Sequence, residues 1–236
     1  MRELERSLDL LCREAGFPAS DTGRFSWVPE PDQWMSDNLL GDDRTDFFLR
    51  ILQVLIDSSC KSIGIIRDTE VQSDVDETSD FRKDIPRQLL ERIHDLCDEA
   101  VVVVGRPVLN VDNSFLLAGT ESRRNAAEPA NRIALSGLSA PLASVRLLQA
   151  AELVVSATLS YISGEETHSP ELFPSIKRLV CEEMFRKGGV GLRIHPESRF
   201  ANLYHWLLGD EFYGRGMGGV GYPLPGQPYH EGPGRF

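Results

Sequence analysis

Cysteine is scarce in this chain, with four in 236 residues (Cys12, Cys60, Cys97 and Cys181), and no two stand at the spacing of a zinc knuckle or a redox pair. A chain of this length buries a core without disulfide or metal staples. The thiols, each in or beside an apolar helical stretch, are therefore expected to act as small buried hydrophobes. Histidine is nearly as scarce. None of His94, His168, His195, His205 and His230 pairs with another at the i, i+4 spacing of a helical zinc motif. There is no Walker loop, no dinucleotide fingerprint and no Gly-x-Ser-x-Gly elbow. No apolar run approaches the length that crosses a bilayer, which excludes a helical membrane span. The start, Met1 to Arg6, is charged and runs straight into a helical pattern, unlike a leader's positive start and apolar stretch. The expected location is the cytoplasm, with no membrane partner. Positive charge is in deficit, 25 Lys and Arg against 36 Asp and Glu, for a net charge of −11. Such a chain repels phosphate backbones at long range, which argues against non-specific nucleic-acid binding. A bound divalent cation would change that field locally.

What is present is a globular composition, 41% hydrophobic and 26% charged, with segments of clear periodicity. Leu4, Leu8, Leu11 and Ala15 recur at helical spacing over residues 1–15, and Gly16 is a natural stop. Gly16 to Gly41 holds Pro18, Pro29 and Pro31 with Trp27 and Trp34, which predicts a loop pinned by aromatics. Asp42 and Asp43 are placed to cap a helix from about Arg44 to Ser58, with Phe48, Ile51, Leu52 and Leu55 as its buried stripe. Ile63, Ile65 and Ile66 mark a short strand over Lys61 to Arg67. Asp84 and Pro86 open a helix carrying Leu89, Leu90, Ile93, Leu96 and Cys97. Val101 to Val104 reads as a strand buried on both faces. Residues 105–140 show few long periodic segments. Helices are expected over Ala143 to Ser160, Pro170 to Arg186 and Phe200 to Leu208, with a short strand over Val190 to Ile194. This order predicts an α/β layered, helix-rich domain over residues 1–212, followed by a Gly/Pro-rich tail over 213–236.

Two acidic positions stand out. Asp68 follows the end of the Ile63–Arg67 strand, and open α/β sheets place ligands beyond the carboxyl ends of their strands. A carboxylate there is either a Mg²⁺ ligand or a polar residue leaving a strand. The loop after it holds Glu70, Asp74, Asp76, Glu77 and Asp80. It is not a helix–loop–helix calcium site, because Ser79 and Ile85 stand where glycine and glutamate are needed. The second position is Glu152. It shares a helix face with Gln149 and Ser156, either a solvated stripe or a face held for a reason, while Leu148, Ala151 and Val155 share another.

Several stretches, in order, resemble a bacterial and phage family catalogued as domain of unknown function 3800. They are Glu14-Ala15-Gly16-Phe17-Pro18, Trp34-Met35, Asn38-Leu39, Arg44 with Phe47-Phe48, and Leu89-Leu90-Glu91-Arg92. They continue with Leu147-Leu148-Gln149-Ala150-Ala151-Glu152-Leu153, Gly189 to Pro196 and Asn202 to Asp210. The resemblance runs from about Arg13 to Asp210 and implies a ribonuclease H-like fold. Such a fold gathers carboxylates around Mg²⁺ or Mn²⁺ to cleave nucleic acid. The resemblance implies that Asp68 is the fourth-strand ligand, and that Glu152 stands where the family has aspartate in its late helix.

It also implies departures. The family's first strand, ending in Asp-Glu-Ser, has no counterpart here, so the domain is expected to be incomplete at its N-terminus. Gly105 replaces an acid, and Ser26 replaces a lysine before Trp27. Two readings follow: a metal-dependent nuclease with weak or no activity, or a non-catalytic binding or regulatory protein on the same scaffold. A gene start placed downstream of the missing strands is a further alternative. Without the first strands, the Ile63–Arg67 strand is expected to carry an exposed edge through which the chain self-associates.

Overall fold

Apolar residues one turn apart build the first helix, α1 (Arg2–Glu14), whose Leu8, Leu11 and Cys12 are buried. The computed structural model describes residues 2–19, 23–67, 85, 88–89, 91–93, 100–106, 133–165, 167–183, 186–195 and 207–208. After α1 come α2 (Trp34–Asn38), α3 (Gly41–Asp57), β1 (Gly64–Arg67), β2 (Ala100–Arg106), β3 (Ile133–Pro141), α4 (Arg146–Ile162), α5 (Ser169–Leu179) and β4 (Leu192–His195). The chain is helix-rich with a small parallel sheet, an arrangement compatible with α/β. It divides into two compact units, Met1–Ile66 with Ala143–Phe236, and Arg67–Leu142.

In the first unit α1 packs on α3 and α4, and α5 packs on α3 and α4. Phe48, Ile51 and Leu52 of α3, Leu153 and Ala157 of α4, and Leu172 and Ile176 of α5 are almost wholly buried between them. The Gly16–Gly41 segment is fastened to this core by rings, as its tryptophans led one to expect. Phe17 contacts Trp34 and Phe47 at centroid distances of 4.6 and 5.0 Å, and Trp27 stacks on Phe48 at 5.6 Å. α2 lies inside this segment. Its single turn is too short for periodicity to announce.

Asp42 and Asp43, the expected cap, sit in the first turn of α3, two and three residues past the observed N-cap. Leu40 occupies the N-cap without a side-chain bond, so the two carboxylates complement the helix dipole and do not cap it. The Cys12 thiol is pushed up to about 11 by burial, which Arg146 opposes and Asp9 and Glu5 reinforce. It is the small hydrophobe the sequence indicated. Cys60 and Cys181 are partly buried and form no disulfide, and Cys97 lies outside the described residues.

α4 has no cap of its own, since Val145 at its N-cap makes no side-chain bond. The cap comes from α1. The two carboxylate oxygens of Glu5 accept the Arg146 N–H at 2.5 Å and the Leu147 N–H at 3.0 Å. This satisfies two orphan donors and places negative charge at the positive helix end. Replacing Glu5 with Gln, which keeps one acceptor but not the charge, is expected to cost about 0.5 kcal/mol, and Glu5→Ala about 1 kcal/mol. Urea midpoints of the two variants check the order. An alanine variant as stable as wild type would mean that water caps α4 equally well.

α5 stops at Leu179, seven residues short of the expected Arg186, because strand pairing takes over its backbone. The Ser62 N–H donates to the Leu179 carbonyl at 2.7 Å, and the Cys181 N–H donates to the Ser62 carbonyl at 2.9 Å. A turn through Gly188 to Gly191 then leads into β4, which pairs with β1 in a two-stranded sheet. The Gly64 N–H donates to the Gly191 carbonyl at 2.7 Å.

In the second unit β2 runs parallel to β3, with Val103 opposite Leu138 and Val104 opposite Ser139. The strand expected at Val101 to Val104 is present, and its side chains lie outside the described residues. β3 is an addition, in a stretch where the sequence shows few long periodic segments. The expected 84–97 helix is described at 85, 88–89 and 91–93, which are helical. The expected 200–208 helix is described only at Leu207 and Leu208, which are helical and buried. The tail from 213 and the acidic loop after Arg67 lie outside the described residues.

Candidate functional site

The N-terminal half of α4 meets the loop before α2 through a ladder of polar contacts. Arg146, Gln149 and Glu152 follow at intervals of three, so they share one helix face. Opposite them run Gly23, Phe25 and Trp27. Arg146 donates from Nη1 to the Gly23 carbonyl at 2.7 Å. The Phe25 N–H donates to Gln149 Oε1 at 3.1 Å, and Arg146 Nη1 also donates to that oxygen at 3.0 Å. Gln149 is fully buried, so this face is a held one and not a solvated stripe. The outward face carries Ala151 and Val155, with Val155 50% exposed.

Glu152 forms the third rung, and the least satisfied one. Ser156 donates to its Oε1 at a long 3.4 Å, while Oε2 is buried without a hydrogen-bond partner. Burial pushes its carboxyl above the ordinary value. The Trp27 N–H, the Ser156 hydroxyl and the Arg24 guanidinium pull the other way and are outweighed. The Trp27 N–H faces the carboxylate from outside hydrogen-bonding geometry at Oε2. Arg24 is committed to Glu30, 2.9 Å away. The Gln33 amide completes the cluster. Its carbonyl accepts from Arg24, and its NH₂ donates to the Ser26 hydroxyl at 3.0 Å; the opposite orientation would set donor against donor. Ser26, the position where the resemblance expected lysine, is therefore a buried hydroxyl in this network.

A second polar pair adjoins Trp27. Thr45 Oγ1 and His168 Nδ1 are 2.7 Å apart. That is the spacing of a hydroxyl nucleophile and its base. Thr45 is only 4% exposed, however, which closes its hydroxyl to substrate and leaves the pair no nucleophilic role.

Of the two acidic positions singled out in the sequence, Glu152 is thus placed, and Asp68 lies outside the described residues. A divalent-metal site needs converging oxygen ligands in the charged state. Among the described residues no group of three or more His, Cys, Asp or Glu is placed to hold an ion. Among the described residues, the groups set against Glu152 are a guanidinium, a hydroxyl and a backbone N–H, none of them an anionic ligand. Among the described residues, the orphaned Oε2 is the feature of this site that would welcome a cation. Sequence reasoning missed Arg24, Arg146, Gln33 and His168. Only the spacing of Gln149 and Glu152 signalled the site. Among the described residues no helix is long and apolar enough to cross a membrane. The chain matches no family model, and no significant match to it was found among curated proteins or solved structures.

Proposed function

We propose that the chain is a binding or regulatory protein built on a ribonuclease H-like scaffold related to the family it resembles, with little or no metal-dependent cleavage of nucleic acid. The observation that carries this reading is the surroundings of Glu152. Its carboxyl is biased toward the neutral acid by burial, and Arg24 faces it where a catalytic centre would present further carboxylates. Two-metal chemistry asks for ions about 4 Å apart, each with several anionic oxygens. Asp68 and Glu152 together supply one carboxylate for each ion.

The competing reading is a Mg²⁺- or Mn²⁺-dependent nuclease in which Asp68 and Glu152 are the metal ligands. The unpartnered Oε2 of Glu152 is the observation in its favour. A cleavage assay separates the two. Purified full chain with Mg²⁺ or Mn²⁺ and single- or double-stranded nucleic acid is expected to give no product above a no-enzyme control. Clear cleavage abolished by Asp68→Asn would establish the nuclease instead. Self-association along the β1 side away from β4 belongs to the same scaffold reading, and sedimentation at rising concentration reads it.

A further inference from the structure

Three segments of the chain meet at one imidazole. His168 stands at the N-terminal boundary of α5. Its Nδ1 lies 2.7 Å from the hydroxyl of Thr45 on α3. Its ring meets Trp27, from the loop before α2, at a centroid distance of 5.9 Å and an interplanar angle of 85°. It meets Phe48 of α3 at 6.4 Å and 89°. Trp27 is itself stacked on Phe48. The three rings form one cluster, with the indole stacked on the phenyl and the imidazole edge-on to both, while the Trp27 backbone N–H faces the Glu152 carboxylate.

We propose that His168 is a proton-operated latch on the Trp27 segment. The neutral imidazole keeps Trp27 closed against Phe48 and beside Glu152, and protonation by solvent releases it.

Two features make the neutral ring the closing form. A neutral imidazole has one acceptor nitrogen and can take the Thr45 hydroxyl proton, whereas an imidazolium is a donor at both nitrogens. The buried Thr45 hydroxyl would then have to turn its own proton elsewhere. The charges around the ring also matter. From α3 come Arg44, which repels an imidazolium, and Asp42, which attracts it. From the turn before α5 comes Glu165, and from α5 Glu171, both attracting. Among the described residues, the Trp27 loop sets no charge against the ring. Burial and Arg44 outweigh the three carboxylates, so the imidazole is held below its ordinary value. A group depressed in the fold contributes stability above its unfolded pKa of about 6.5 and loses it as pH falls through the folded value. The latch therefore opens on acidification.

Intrinsic tryptophan fluorescence of the full chain, titrated from neutral to mildly acidic pH, tests this. The expected outcome is one emission transition with a midpoint below about 6.5 while the far-ultraviolet helical signal stays constant. That transition should be lost in Trp27→Phe and in His168→Gln. A transition that persists in either folded variant, one that coincides with loss of helix, or none at all overturns the latch. If a variant fails to fold, imidazole NMR of the wild-type chain carries the test. One of its five histidines must then titrate with the midpoint of the fluorescence change, and the absence of such a histidine overturns the proposal.

Discussion

Replacing Gly191 with alanine is expected to destabilise the protein by about 3 kcal/mol or more, enough to unfold a marginal domain. The cause is a close approach of two backbones. A Cβ built on Gly191 would overlap the carbonyl oxygen and amide nitrogen of Cys181 and stand 2.8 Å from its Cα. None of these atoms belongs to a side chain that could rotate away. Either strand would have to shift, and both are fastened. The Gly191 carbonyl accepts the Gly64 N–H, and the Cys181 N–H donates to the Ser62 carbonyl, so the overlap would strain one pairing at the start of β1 and one just before it. Gly64→Ala is the control. Its added methyl would meet only Leu192 Cδ1, at 3.3 Å, the end of a flexible side chain. That variant should cost less than about 1 kcal/mol. Chemical denaturation of both variants reads the difference. Equal midpoints for Gly191→Ala and wild type would show that the turn is looser than its hydrogen bonds indicate.

The reach of the sequence can be judged from the elements where it failed. Apolar spacing announced α1, α3 and α4 because each buries one long face against a common core, and burial is what the 3.6-residue period records. It overran α5 because Val180 and Cys181 continue the apolar pattern while their backbone leaves for Ser62. Side-chain pattern does not carry that information. β3 escaped notice because Gly137 interrupts Ile133-Ala134-Leu135-Ser136. The irregular register near Val101 and Val103 shows that strict alternation is not kept along the ladder either.

The site was legible in only one of its two halves. The interval between Gln149 and Glu152 put both on one helix face, and the structure turns that face inward. What it turns toward comes from more than 120 positions away in sequence, as the Phe25 to Gln149 bond shows. No local rule reaches that far. Arg24 and Gln33 sit in a proline-rich loop whose composition declares irregularity and nothing about which groups it delivers. The role of His168 likewise depends on Trp27 from the loop and Thr45 and Phe48 from α3 arriving at one ring.

Glu152→Gln is expected to raise stability at neutral pH by about 1 kcal/mol, an unusual sign for a change at a half-buried polar residue. Burial raises the Glu152 carboxyl above its unfolded value, so its charged form is disfavoured by the fold. Such a group contributes most below its unfolded pKa, and that contribution is lost as pH rises through the folded value. Above that folded value the wild-type chain holds a partly buried carboxylate with Oε2 unpaired. A glutamine of the same shape removes the charge. It can turn its carbonyl to the Trp27 N–H and donate from its NH₂ to the Ser156 hydroxyl. The attraction to Arg24 is lost, but that guanidinium keeps Glu30 and Gln33. Partial exposure screens the charge and limits the gain to the lower end of the range for an unsatisfied polar group. The advantage should shrink on acidification, where Glu152 itself becomes neutral. Thermal denaturation of both chains at neutral and at acidic pH reads the sign and its pH dependence together. A variant less stable than wild type at neutral pH would mean that the carboxylate is paired after all. A more stable one would mark Glu152 as a residue kept at a cost to the fold, which is the pattern of a site retained for binding.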